Sequence, residues 1–167
     1  MKRYLIIAEK KSIREPIQEA CDKHKGLLDF VADVTYMANP VAHISDKVFS
    51  IDPTAGVWEK LELKTTEVPE GYYVANTKFT PVQVNEITSL IQANDYDLII
   101  NACDNGLYGQ FAYLYTKEKV GFSIPDKRMW HMDLTENGII RALQQLEDNE
   151  YILSELLKRR EETGRVY

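Results

Sequence analysis

The sequence predicts an α/β domain layered around a mainly parallel central sheet. Three observations carry that expectation. Short apolar runs bounded by turn residues alternate along the chain with segments whose apolar positions recur at helical spacing. Two of those runs share one layout: Tyr4-Leu5-Ile6-Ile7-Ala8 breaks at Glu9, and Asp97-Leu98-Ile99-Ile100-Asn101-Ala102-Cys103 breaks at Asp104 and then at Gly106 and Gly109. In an open parallel sheet such turns lie at the carboxyl edge, where ligands bind. Strands at 3–8 and 97–103 are therefore expected to be parallel neighbours that bring Glu9 and Asp104 to one rim.

The elements follow in order. After the first strand, Ser12 can cap a helix with Glu15 three residues on, or the helix can begin later with Pro16 at its first position. Ile13, Ile17, Ala20 and Cys21 then share one side, and Lys25-Gly26 supplies a stop. Leu28 to Tyr36 is rich in Val, Phe and Tyr and alternates in part, which predicts a strand. Residues 45–79 read as an irregular insertion with a short strand around Lys47 to Ile51, punctuated by Asp52-Pro53, Gly56, Pro69 and Gly71. Thr80-Pro81-Val82-Gln83 is a helix start with cap, proline and capping-box glutamine, and Val84, Ile87, Leu90 and Ile91 should face the sheet. Beyond Gly109 a helix runs to Gly121 and Pro125, Arg128 to Met132 forms a strand, and Thr135 caps a helix whose apolar face is Ile139, Ile140, Leu143 and Leu146. A last helix and tail occupy 150–167, with Ile152, Leu153, Leu156 and Leu157 at helical spacing.

Length and composition bound the rest. The 167 residues are expected to form a single domain, and a domain of this size buries roughly 70% of its unfolded surface. No apolar run approaches the ~20 residues of a membrane span, and Met1-Lys2-Arg3 leads into a run too short for a signal peptide. The expected address is cytoplasmic, with no membrane partner. The formal charge of −6 opposes nonspecific nucleic-acid binding, so any such contact must come from a local basic patch. Lys2, Arg3, Lys10, Lys11 and Arg14 form one candidate; Lys158, Arg159, Arg160 and Arg165 form another, more simply read as a solvated face. Cys21 and Cys103 form no Cys-x-x-Cys pair and read as small buried hydrophobes, and His24, His43 and His131 share no metal-ligand spacing.

At the two acidic turns the residues resemble a known family. Ile7-Ala8-Glu9-Lys10-Lys11-Ser12 is similar to the Glu-Lys-Pro-Ser opening of the Toprim domain in type IA DNA topoisomerases, particularly the topoisomerase III group. Ala102-Cys103-Asp104-Asn105-Gly106-Leu107-Tyr108-Gly109-Gln110 resembles that family's Ala-Thr-Asp-x-Asp-Arg-Glu-Gly-Glu in a worn form. Val34-Thr35-Tyr36, Ala42-His43-Ile44, Trp58 with Val68-Pro69, and Arg128-Met129-Trp130 with Leu134-Thr135 and Ile140-Arg141-Ala142-Leu143 resemble further segments in the family's order, over roughly residues 2 to 146.

The resemblance implies a three-layer Rossmann-like Toprim fold, like the N-terminal catalytic domain of such a topoisomerase. It implies an isomerase that changes DNA topology, works with further domains, and is inactive alone because the tyrosine nucleophile lies outside this segment. Glu9 and Lys10 take the catalytic positions, Glu9 and Asp104 the metal positions, and Lys10, Lys11 and Arg14 are the candidate contacts to DNA, single-stranded by preference. Mg²⁺ is the implied cofactor, weakened because Gly106, Tyr108 and Gln110 replace the family's acids; Glu9 and Asp104 just meet the one or two carboxylates that Mg²⁺ needs when phosphate and water complete its shell. A non-catalytic nucleic-acid-binding or protein-binding relative is the alternative, and a metal-dependent nuclease or primase a weaker one. Tyr108 reads as a space-filling replacement and His43 as a loop histidine. The oligomeric state stays open.

Overall fold

The computed structural model describes residues 1–37, 41–44, 58–60, 72–75, 81–130 and 133–163. The elements are β1 (Lys2–Ala8), α1 (Lys11–Lys23), β2 (Phe30–Tyr36), β3 (Val41–Ile44), β4 (Trp58–Lys60), β5 (Tyr72–Ala75), α2 (Pro81–Ala93), β6 (Leu98–Ala102), α3 (Leu107–Val120), β7 (Asp126–Arg128), α4 (Glu136–Gln144) and α5 (Asn149–Thr163). Four strands form an all-parallel sheet in the order β2-β1-β6-β7. As expected, β1 and β6 are neighbours, with Tyr4 opposite Leu98 and Ala8 opposite Ala102.

The alternation of side chains along the strands builds the layers. Leu5, Ile7 and Ile99 point to one face and join Ile87 of α2, Ala112 and Tyr113 of α3, and Ile152 and Leu153 of α5. Ile6, Ala8, Ile100 and Ala102 point to the other and join Ile13 and Ile17 of α1 with Ile139 and Leu143 of α4. Leu5 to Ala8 are fully buried, as in a parallel sheet covered on both faces. Each buried Leu or Ile contributes roughly 1.5–3 kcal/mol, so a slip of one residue, which would exchange the two apolar sets, is strongly disfavoured. The result is a three-layer, Rossmann-like α/β arrangement, and no described helix is long and apolar enough to cross a membrane.

Several local expectations are corrected. Helix α1 starts at Lys11 with Lys10 as its N-cap and no side-chain cap, so neither Ser12 nor Pro16 starts it; Pro16 lies inside. The carbonyl of Lys10 receives the amides of Ile13 and Arg14 at 3.0 and 3.1 Å, which closes the first turn without a hydroxyl. Gln83 donates its amide to the carbonyl of Tyr36 at 2.5 Å, while the expected cap at Thr80 lies outside the described residues. Strand β7 ends at Arg128 rather than beginning there, and Arg128 also bridges antiparallel to Glu147. Thr135 caps α4 as expected, accepting from the amide of Gly138 at 3.1 Å. Gly121 closes α3 in the left-handed conformation at φ 77°.

Within the segment read as an insertion, β4 and β5 join β3 in an antiparallel sheet of order β3-β5-β4, and β3 and β5 pack on α3. The strand expected near Lys47 to Ile51 lies outside the described residues, as do His131, Met132 and Arg165. His43 is placed in β3 by its backbone. At the outer edge of the parallel sheet, β2 turns the carbonyls of Val34 and Tyr36 away from β1. Arg14 Nε donates to the first at 2.9 Å and Gln83 to the second.

Candidate functional site

Because β1 and β6 run parallel in register to Ala8 and Ala102, the residues that follow leave the sheet side by side at its carboxyl rim. There the Glu9 carboxyl comes close enough to Asp104 to interact with it. Burial pushes the Glu9 carboxyl from its ordinary 4.5 up to about 8; the hydrogen bond and the negative charge of Asp104 push the same way, and Lys10 and Arg128 pull it back. Burial beside a neighbouring acid thus favours the protonated form of Glu9.

Beneath the pair lies a polar cluster that the residue-by-residue reading missed. Arg128 is fully buried at the end of β7. It donates from Nη2 to the carbonyl of Asp104 and from Nη1 to Asn101 Oδ1, both at 2.6 Å. Asn101 also accepts from the amide of Cys103 at 3.0 Å and donates to Gln110 Oε1 at 3.2 Å and Asn149 Oδ1 at 3.0 Å. Gln110 Nε2 returns to Asn149 Oδ1 at 3.1 Å. One buried guanidinium and three buried amides thus tie the acidic turn to α3, β7 and the first residue of α5. A signal existed in the sequence: an asparagine inside the run Leu98-Ile99-Ile100-Asn101-Ala102 must find partners if the strand is buried.

The turn itself depends on Gly109. A Cβ there would sit 2.0 Å from the carbonyl oxygen of Asp104, so only glycine lets the first turn of α3 close on this loop. Gly106 is the N-cap of α3. Gln110 is fully buried.

The other candidate residues separate into two places. Lys10 stands beside Glu9 as the N-cap of α1 and is half-buried. Lys11 and Arg14 instead line a cleft of about 480 Å³ beside β2, together with Tyr36, Glu86 of α2 and Asn94 just beyond that helix. Arg3 reaches the same cleft but is ion-paired with Asp33 at 2.8 Å. Lys2 begins β1 at the opposite end from the rim. Lys158 and Arg159 are exposed on α5, and Arg159 lies 5.2 Å over the Trp130 ring. Cys21 and Cys103 are both buried and unbridged, as expected. His24 sits 2.9 Å from Glu136.

Glu9 and Asp104, the expected metal positions, stand together at the rim. Burial favours the protonated form of Glu9, the buried Arg128 donates to the carbonyl of Asp104, and Gln110 presents an amide to other amides. Among the described residues no group of three or more His, Cys, Asp or Glu could hold a metal ion. What the arrangement can do is hold one proton at Glu9 and offer it, next to Lys10, to an oxygen at the rim.

No family model matches the chain, and no curated protein matches its sequence. Among solved structures it is similar to full-length topoisomerase I from Thermotoga maritima, at 14% identity and a TM-score of 0.52 over 93% of this chain. The chain spans 23% of the length of that protein. At this identity the likeness is one of fold.

Proposed function

We propose that the chain is a Toprim-type module, resembling the N-terminal part of type IA topoisomerases, that engages single-stranded DNA at the Glu9–Asp104 rim and does not cleave or relax DNA by itself. The observation that carries this reading is the acid pair: two carboxyls from the ends of adjacent parallel strands, with burial raising Glu9, Lys10 alongside and Arg128 beneath. With one proton the pair carries a single negative charge. Arg128 offsets it, which leaves Lys10 to attract a phosphate. Glu9 can then donate a hydrogen bond to a phosphate oxygen. Once Glu9 ionises, the rim turns negative and repels the same group.

In the family Mg²⁺ supplies organisation of the phosphate; here no step is assigned to it. Further domains, which would bring a nucleophile, are partners this reading requires for strand cleavage. The amide cluster at Gln110 favours a second reading in which only binding remains.

The test is fluorescence anisotropy with a labelled single-stranded oligonucleotide at low salt, with and without Mg²⁺ or Mn²⁺, beside a relaxation assay on supercoiled DNA. Binding at pH 7 that weakens as the pH passes about 8, with no relaxation, supports the proposal. Absence of binding at low salt sinks the DNA reading and leaves a protein-binding module. Metal-dependent relaxation by the chain alone, abolished by Glu9→Gln, would overturn the claim of inactivity.

A further inference from the structure

The cleft beside β2 is not explained by the acid pair, yet it opens next to it. Tyr36 is opposite Ala8 in the β1–β2 register, one residue before Glu9. At its Tyr36 end the cleft is thus about one strand spacing, ~4.8 Å, from the strand that leads into Glu9. Its walls are α1 and α2, and its floor is the edge strand.

Three features say what fits there. The first is charge: Lys11 is exposed, and Arg14, which commits Nε to the carbonyl of Val34, also lines the cleft. Arg3 is spent on Asp33, which Tyr96 also contacts at 2.7 Å, so these two neutralise each other. Glu86 is the acid left facing Lys11 and Arg14. The second is Tyr36, a half-buried aromatic at the end of the cleft floor that packs partly against the core of the α1 face. The third is the backbone: the outward carbonyls of Val34 and Tyr36 are already taken by Arg14 and Gln83. An extended peptide adding as a new strand would find those acceptors occupied. A ligand read through phosphates and ring faces would not need them.

We infer that this cleft carries the neighbouring nucleotides of a single strand whose next phosphate lies at the Glu9–Asp104 rim, with Lys11 and Arg14 on the backbone and Tyr36 under a base. Cations along a groove with an aromatic platform are the working parts of sequence-tolerant single-strand binding. The inference rests on the rim being a DNA site and adds the path and the stacking residue.

A fluorescein-labelled dT oligonucleotide of about ten nucleotides, within the usual site size, is titrated at several salt concentrations. Lys11→Gln should weaken binding and reduce the slope of log affinity against log salt by roughly 0.7, the value for one lost contact on a single strand. Tyr36→Leu, which keeps an apolar side chain on the core, should weaken binding by about five-fold or more. Glu86→Gln should tighten it. Photocrosslinking with 5-iodouracil in the oligonucleotide should mark the peptide that contains Tyr36. If Lys10→Gln weakens binding while Lys11→Gln and Tyr36→Leu behave as the parent, the cleft is not the path and the rim reading stands. Crosslinks confined to other peptides, or equal affinity for duplex, also overturn the inference. If the parent binds no oligonucleotide at low salt, the rim reading falls first.

Discussion

Replacing Glu9 by Gln should make the protein more stable at pH 8.5 and leave it nearly unchanged at pH 5. The rise of the Glu9 carboxyl from 4.5 to about 8, converted at roughly 1.4 kcal/mol per pH unit, is about 5 kcal/mol of native-state preference for the proton. The sign follows from which state binds it. Between those two values the native state holds a proton that the unfolded chain has released, so stability falls as the pH rises. The contribution is complete below 4.5, is lost progressively up to about 8, and is flat above. Glutamine can donate to Asp104 as the protonated acid does, but does not ionise. Urea unfolding of the parent and the Glu9→Gln variant, measured from pH 5 to 9, gives the difference directly, and histidines common to both proteins cancel. The gap should open by several kcal/mol, with about 5 as the ceiling. A gap that stays constant across the range would refute the protonated pair.

Gly109→Ala should cost about 1–3 kcal/mol or more in chemical unfolding, because the new methyl meets the Asp104 carbonyl at 2.0 Å and the turn must shift; a variant as stable as the parent would show that the approach is not so close. Arg128→Met removes the donors to Asn101 and Asp104 and should destabilise by roughly 1–3 kcal/mol. It should also raise the Glu9 carboxyl further, since Arg128 pulls it down, and carboxyl infrared bands followed against pH would reveal a midpoint that moves the other way if this is wrong. Thr135→Ala removes the cap on α4 and should cost about 1 kcal/mol, read from the urea midpoint at unchanged m-value.

The parallel neighbours β1 and β6 were legible because a doubly buried strand must be apolar on both faces, and Leu5 to Ala8 and Ile99 to Cys103 nearly are. The same logic brought Glu9 and Asp104 together from distant parts of the chain. What hid the rest was long-range pairing. Arg128 reads as an ordinary strand end until its neighbour in the fold, Asn101, is known, and Gln110 reads as a lost acid until Asn149 is placed beside it. The start of α1 was misplaced because a hydroxyl at Ser12 resembles a cap, whereas Lys10 supplies only backbone. The strands β4 and β5 are short, at three and four residues, too brief for an alternation to be recognised.

Arg14 has two employments, and that matters for how any surface scan of this protein is read. Its Nε closes an acceptor on the outermost strand, one of the devices by which a sheet avoids recruiting further chains. Truncating it would uncover a sticky margin as well as remove a cation. A variant such as Arg14→Ala that lost oligonucleotide affinity could do so by clumping, with the loss growing as protein concentration rises. Lys11, exposed on the same helix, is the cleaner probe of charge. Light scattering on the Arg14 variant separates the two effects before any binding curve is interpreted.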